Sequence, residues 1–123
     1  MTPAVFLYFK PTSMDTYYNP ADLKKFSAIA DWDKNLAEKF FGWYGEVFKP
    51  GELTAREKSL IALAVAHTIQ CPYCIDAYTQ DAVERAATEK QMMEALHVAA
   101  AIRGGASLVH GVQMMEKARK ISM

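Results

Sequence analysis

Two capping boxes constrain the fold of this chain more than any other feature. Thr54-x-x-Glu57 and Thr88-x-x-Gln91 each place a hydroxyl three residues before a carboxylate or amide, which satisfies two of the free N–H groups at a helix start. Other starts are marked just as locally. Asn19-Pro20 gives an N-cap with proline at the first helical position, leading into Ala21 to about Ala30. Asp33 opens a second helix running to about Phe48, on which Leu36, Phe40, Trp43 and Val47 recur along one face; Pro50-Gly51 ends it. The segment after Thr54 carries Leu60, Ile61, Leu63, Ala64, Val65 and Thr68, is apolar over most of its circumference, and reads as a central, buried helix. Pro72 is tolerated only in a first turn, so the next helix is predicted to begin at Cys71 and run to about Ala87. Beyond Thr88 a Met- and Ala-rich helix is expected to close at Gly104-Gly105, and a last one to cover about Ser107 to Lys120 with Leu108, Val112 and Met115. No segment alternates with period two for long enough to argue a strand. The expected fold is all-α, with about six helices.

A length of 123 residues suits one domain with a hydrophobic core and is too short for two ordinary ones. We place that helical domain at residues 19–123. Residues 1–18, with Pro3, Pro11 and no helical period, read as an N-terminal tail expected to be disordered, and Met14 reads as well as a start as Met1 does. The hydrophobic share of 51% is at the upper edge for soluble proteins, which points to apolar surface covered by another subunit, and so to a homo-oligomer. Fourteen basic residues balance fourteen acidic ones with no Lys/Arg run, which removes the electrostatic footprint of a nucleic-acid binder. The apolar stretch Ala4 to Phe9 has no basic segment before it and no small-residue cleavage site after it, so it is not read as a secretory signal. Every longer apolar run is interrupted well short of the roughly 18 residues that a membrane helix needs. A cytoplasmic protein is the expectation.

Within this frame the chemistry concentrates in Gln70-Cys71-Pro72-Tyr73-Cys74-Ile75-Asp76-Ala77-Tyr78, which holds the only two cysteines. Two thiols at this spacing can close a small disulfide and reopen it. On a helix starting at Cys71, positions 71, 74, 78 and 81 share one face, so both thiols look the same way. A first-turn cysteine meets unpaired N–H groups and the positive end of the helix dipole, both of which favour thiolate. An unperturbed thiol is only about 3% ionised at pH 7, and a pKa near 7 would raise that to about half. His67, four residues before Cys71, is the candidate base; the alternative is a histidine that interacts with the C-terminal dipole of its own helix. Tyr78, one turn past Cys74, is a candidate hydrogen-bond donor to a thiolate or peroxide oxygen, or else packs beside Ile75 and Ala82. Asp81 reads as a solvated surface residue and Glu57 as a cap. His97 and His110 lie far downstream, a spacing that fits neither zinc finger nor ribbon, so no metal and no cofactor is expected.

The run Glu57-Lys58-Ser59-Leu60-Ile61-Ala62-Leu63-Ala64-Val65-Ala66, followed by Cys71-Pro72-Tyr73-Cys74, resembles the carboxymuconolactone decarboxylase family in its alkylhydroperoxidase D-like branch, over about residues 35 to 120. More narrowly, Tyr17 to Phe26, Cys71 to Thr79 and His97 to Gly111 look like peroxidase-like proteins associated with arsenosugar biosynthesis. The resemblance implies an all-helical fold assembled as dimers, trimers or hexamers, and a thiol peroxidase without metal or haem. It further implies that Cys74 attacks the hydroperoxide and Cys71 resolves the sulfenic acid, whereas helix-dipole reasoning alone favours Cys71 as nucleophile. The family's proton relay places a glutamate and a histidine where this chain has Ser59 and Tyr78. Glu57 cannot stand in for that acid, because two residues turn a side chain about 200° around a helix. His67 is the expected substitute.

Three functions compete on this basis. The first is a thiol peroxidase or disulfide oxidoreductase acting on a hydroperoxide or disulfide, with an external dithiol or protein reductant as partner. The second is a lactone decarboxylase of the family's other branch, which would need no cysteines. The third is a non-catalytic oligomer that holds an arsenical or a metal ion between two soft thiolates.

Overall fold

A computed structural model of the chain describes residues 16–123; the reading of residues 1–15 as a tail, Met14 included, lies outside them. A 3₁₀ helix, Pro20–Asp31, is followed by five α-helices: α1 Lys34–Phe48, α2 Ala55–Thr68, α3 Pro72–Glu84, α4 Glu89–Val109 and α5 Gly111–Ser122. No strand occurs among the described residues. The caps form where the sequence puts them. Asn19 Oδ1 accepts the Ala21 N–H at 3.0 Å, Asp33 Oδ1 accepts the Leu36 N–H at 3.0 Å, and both capping boxes close in both directions.

Helix α2 is the centre of the molecule, with α3 packed on one side and α4 on the other. Its buried residues are Ser59, Leu63 and Ala66; Ala82 of α3 and Ala99 of α4 are likewise buried. Only one face of α2 is sealed, since Ile61 and Val65 remain about half exposed, so the expectation of a helix buried all round holds for its position and not for its circumference.

Basic side chains from neighbouring helices satisfy the carbonyls left over at three helix ends. Lys58 Nζ donates to the carbonyls of Val47, at 2.8 Å, and Lys49 at the end of α1. Arg103 Nη1 donates to Thr68 O at 2.7 Å at the end of α2, and Arg56 Nε to Arg85 O at 2.9 Å after α3. Each puts a cation at the negative end of a helix dipole.

Three expectations are corrected. The first helix winds with three residues per turn, so Leu23, Phe26 and Ile29 stand in one straight row along the cleft that holds the cysteines. An α-helix would rotate successive members of that row by about 60°. Second, Gly104 and Gly105 do not end a helix. A glycine terminator works by adopting left-handed geometry, and no described glycine has positive φ, so α4 runs through both and stops at Val109. The left-handed positions fall instead at Gln70 (φ 55°) and Ala86 (φ 62°), just past α2 and α3. Third, α1 packs on a row one position along from the expected one. Ala37 is buried and Phe41, Tyr44 and Phe48 are half-buried; of the expected row, Leu36 (62% exposed) and Trp43 (64%) face outward, Phe40 lies against Phe26 and Phe41, and Val47 lines a cleft between α1, α2 and α3.

Candidate functional site

The turn between α2 and α3 brings the thiols into place. Gln70 adopts its left-handed conformation, the Cys71 N–H returns to the Ala66 carbonyl at 3.1 Å, and the chain reverses within three residues of the end of α2. Cys71 then serves as the N-cap of α3 with Pro72 at the first helical position. Its Sγ accepts the Cys74 N–H at 3.2 Å, in the place where a serine or aspartate oxygen usually sits. Both cysteines are free thiols and both are half-buried.

Cys74 lies between two apolar clefts. One, of about 370 Å³, runs between α1, α2 and α3 and is lined by Phe48, Ile61, Val65, Ile69 and Tyr78 beside Cys74. The other, of about 520 Å³, lies under the 3₁₀ helix, where Leu23, Phe26 and Ile29 face Cys71, Cys74 and Tyr73. Cys74 borders both and Cys71 only the second. Burial, with the Cys71 side chain beside it as hydrogen-bond partner and second negative centre, pushes the Cys74 thiol up to about 11, against the lowering effect of a backbone hydrogen bond. The two sulfurs are thus unequal: Cys71 takes the helix-start N–H, and Cys74 holds its proton.

The sequence-predicted companions are placed differently from one another. Tyr78 reaches the site: its ring stacks on Phe48 at 5.2 Å with 21° between planes and borders the same cleft as Cys74. His67 does not. Its Nδ1 donates to the Leu63 carbonyl at 2.8 Å, and the residue borders neither cleft of Cys74. The reason is helical phase: His67 lies within about 20° of Leu60, on the face that Leu60 and Ala64 turn toward α4, while Ala62, Ala66 and Ile69 face Cys74. Ser59 is fully buried and closes its hydroxyl on the Arg56 carbonyl at 2.7 Å. Glu57 is held in the Thr54 box, whose hydrogen bonds keep its carboxyl below the usual range.

Sequence reasoning passed over Tyr44 and misjudged the burial of Asp81. The Tyr44 ring of α1 lies tilted against Phe48 at 5.0 Å and borders a third cleft, of about 220 Å³, with Tyr78, Asp81 and Arg85. Burial holds the Tyr44 phenol above its usual value, and the negative charges that Cys74, Asp81 and Cys71 can carry add to the effect. Asp81 was read as solvated, yet it is half-buried in that cleft, 3.5 Å from Arg85 Nε. The signal for Tyr44 was the second apolar row of α1, Ala37-Phe41-Tyr44-Phe48. For Asp81 it was the shared face with Cys74 and Tyr78. The N-terminal segment also joins the site: Tyr73 Oη donates to the Tyr17 carbonyl at 3.2 Å and accepts the Asn19 N–H at 3.4 Å, with the Tyr18 ring edge-on at 4.9 Å.

The clefts and the thiol pair sit inside a segment that comparison with known proteins identifies. A structural-genomics crystal structure from Methanobacterium thermoautotrophicum superposes with a TM-score of 0.67 at 31% identity, covering 70% of this chain and 97% of that one. A Paracoccus denitrificans protein described as "Uncharacterized protein 4 in cox locus" is 50% identical over 76 residues, 62% of this chain and 68% of that protein. The family model for carboxymuconolactone decarboxylases matches residues 34–117, from the first residue of α1 into α5. With a match over more than half its length, the chain belongs to the carboxymuconolactone decarboxylase family.

Proposed function

We propose that the chain is a thiol-dependent peroxidase or disulfide oxidoreductase in which Cys74 attacks and Cys71 resolves. The observation that carries this reading is the inequality of the two sulfurs. Cys71 is held at the N-cap by the Cys74 N–H, while Cys74 borders both apolar clefts and so is the sulfur that a substrate in either one meets. In the peroxide reaction the Cys74 thiolate breaks the O–O bond, leaving Cys74 as sulfenic acid and releasing an alcohol once the departing oxygen is protonated. The Cys71 thiol then displaces water to form the disulfide, and an external dithiol returns both sulfurs to the reduced state. That cycle suits a reducing compartment such as the cytoplasm.

The same reading makes the working form a homo-oligomer. Leu36 and Trp43 leave a bare row on α1, and Ile102, Leu108, Val112 and Met115 on α4 and α5 are likewise exposed, apolar surface of the kind that a subunit contact covers. No described helix is long and apolar enough to cross a membrane.

The test is a single turnover with cumene hydroperoxide. The parent and Cys71→Ser each consume one equivalent and Cys74→Ser consumes none; consumption by Cys74→Ser at the parent rate would exchange the two roles.

A further inference from the structure

Attack by Cys74 poses a problem that the cysteines alone do not solve. Its proton must leave at neutral pH, yet the sulfur is half-buried and the Cys71 Sγ beside it already accepts the Cys74 N–H. The residue at the end of α2 that sequence reasoning favoured, His67, bonds the Leu63 carbonyl of its own helix and borders neither cleft of Cys74. What the fold does supply lies along the face of α3. Cys74, Tyr78 and Asp81 follow one another at one and two turns, all half-buried. Opposite them, α1 presents Tyr44, whose ring lies tilted against Phe48, which in turn stacks on Tyr78. Tyr44, Tyr78, Asp81 and Arg85 border one cleft, and Tyr78 and Phe48 form the wall it shares with the cleft of Cys74.

We propose that Asp81 is the proton acceptor for the Cys74 thiol and that the Tyr44 hydroxyl, with water in the cleft beside it, is the path between them. The inference rests on Cys74 being the attacking sulfur. The cleft, at about 220 Å³, has room for several waters, each of which takes about 30 Å³ in the liquid. Asp81 Oδ1 lies 3.5 Å from Arg85 Nε, and both residues line the cleft. Burial and the nearby thiols hold the Tyr44 phenol protonated, which suits a hydroxyl that accepts one proton as it passes on another. The proton balance closes on Asp81. The thiol proton moves to the carboxylate, Cys74 thiolate breaks the O–O bond to give sulfenic acid and an alkoxide, and the carboxylic acid protonates that alkoxide to the alcohol.

The other charged or titratable groups facing this site are Lys58 from α2, Asp22 and Lys25 from the 3₁₀ helix, and Cys71, Tyr73 and Tyr78 from α3 with its cap. None is a carboxylate in the cleft of Tyr44, and Asp22 lies across the thiols under the 3₁₀ helix. A base and a mere neighbouring charge predict opposite signs when Asp81 is neutralised. Removing a negative charge favours the Cys74 thiolate and would speed its oxidation; removing the acceptor slows it.

The experiment follows single-turnover oxidation by cumene hydroperoxide from pH 6 to 11 in the full chain and in Asp81→Asn, Asp81→Glu and Tyr44→Phe, with circular dichroism to confirm folding. Asp81→Asn is expected to fall about a hundredfold at pH 7, within the usual range for loss of a general base, and to converge on the parent near pH 11, where Cys74 ionises unaided. Asp81→Glu recovers part of the rate, and Tyr44→Phe falls in the same direction by a smaller factor. Oxidation of Asp81→Asn at or above the parent rate at pH 7 would overturn the proposal, as would a deficit that stays constant to pH 11. A parent chain that consumes no hydroperoxide would overturn the proposed function and the relay together, whereas a reactive parent matched by its variants overturns the relay alone.

Discussion

Replacing Cys71 by serine tests how the two sulfurs are coupled. Serine is a better N-cap than cysteine, so α3 keeps its start and its position. Three influences raise the Cys74 thiol from 9.0 to about 11: burial first, then the hydrogen bond to Cys71, then its charge. The substitution removes the charge, changes the hydrogen bond and leaves burial. The Cys74 pKa should therefore fall, without returning to 9.0. At pH 8 a thiol at 11 is about one part in a thousand ionised and a thiol at 9.0 about one in ten, so the thiolate population should rise by a factor between one and about a hundred. The assay is the pH dependence of iodoacetamide alkylation at the single remaining cysteine, read by intact mass, with the thiolate absorbance near 240 nm as a second measure. A midpoint that stays at about 11 would show that Cys71 exerts no influence on its neighbour and that the paired-thiol account of the site is mistaken.

Other consequences follow from the same structure. Because the Cys74 pKa is higher in the folded chain than in the unfolded one, its contribution to stability is complete below pH 9 and is lost as pH rises from 9.0 toward 11; thermal melts should show a loss over that window that Cys74→Ala lacks, and equal alkaline curves would contradict the burial of this thiol. Ala86 closes α3 in left-handed geometry, so Ala86→Gly should raise stability by about 0.5–1 kcal/mol in urea titration, and a loss would refute the strain assigned to it. Ala82 of α3 is fully buried, so Ala82→Leu should lower stability by about 1–3 kcal/mol and disturb alkylation at Cys74, while an unchanged midpoint would contradict its burial. If the bare row on α1 is a subunit contact, Leu36→Lys with Trp43→Lys should reduce the mass measured by light scattering to that of one chain, and a parent that is already monomeric would refute the assembly.

How much of this was legible in the sequence depends on whether the signal was local. Caps are local: Asn19, Asp33, Thr54 and Thr88 each bond groups within three residues, and each was found. The thiol pair was legible for the same reason, since four residues of one helix start, Cys71 to Cys74, hold both sulfurs. What failed were choices between faces. Leu36, Phe40, Trp43 and Val47 form as regular a row as Ala37, Phe41, Tyr44 and Phe48, and one chain's hydrophobic pattern does not tell a face meant for its own core from one left for other protein. The site inherited that ambiguity. Tyr44 sat on the row not chosen, and His67, correctly near Cys71 along the chain, points elsewhere because 3.6 residues per turn send positions 66 and 67 about 100° apart. Gly104-Gly105 misled because a glycine only permits a helix to end; its neighbours decide whether it does.

The claim beneath all of this is that Cys71 and Cys74 together give up two electrons to a hydroperoxide and close a disulfide. The direct measurement is intact mass after alkylation, on the full chain, before and after one equivalent of cumene hydroperoxide. The account predicts that both thiols become unreactive together and that the chain loses two hydrogen atoms, with both changes reversed by dithiothreitol. Two thiols still open to alkylation, or oxygen added to one sulfur while the other stays free, would contradict it.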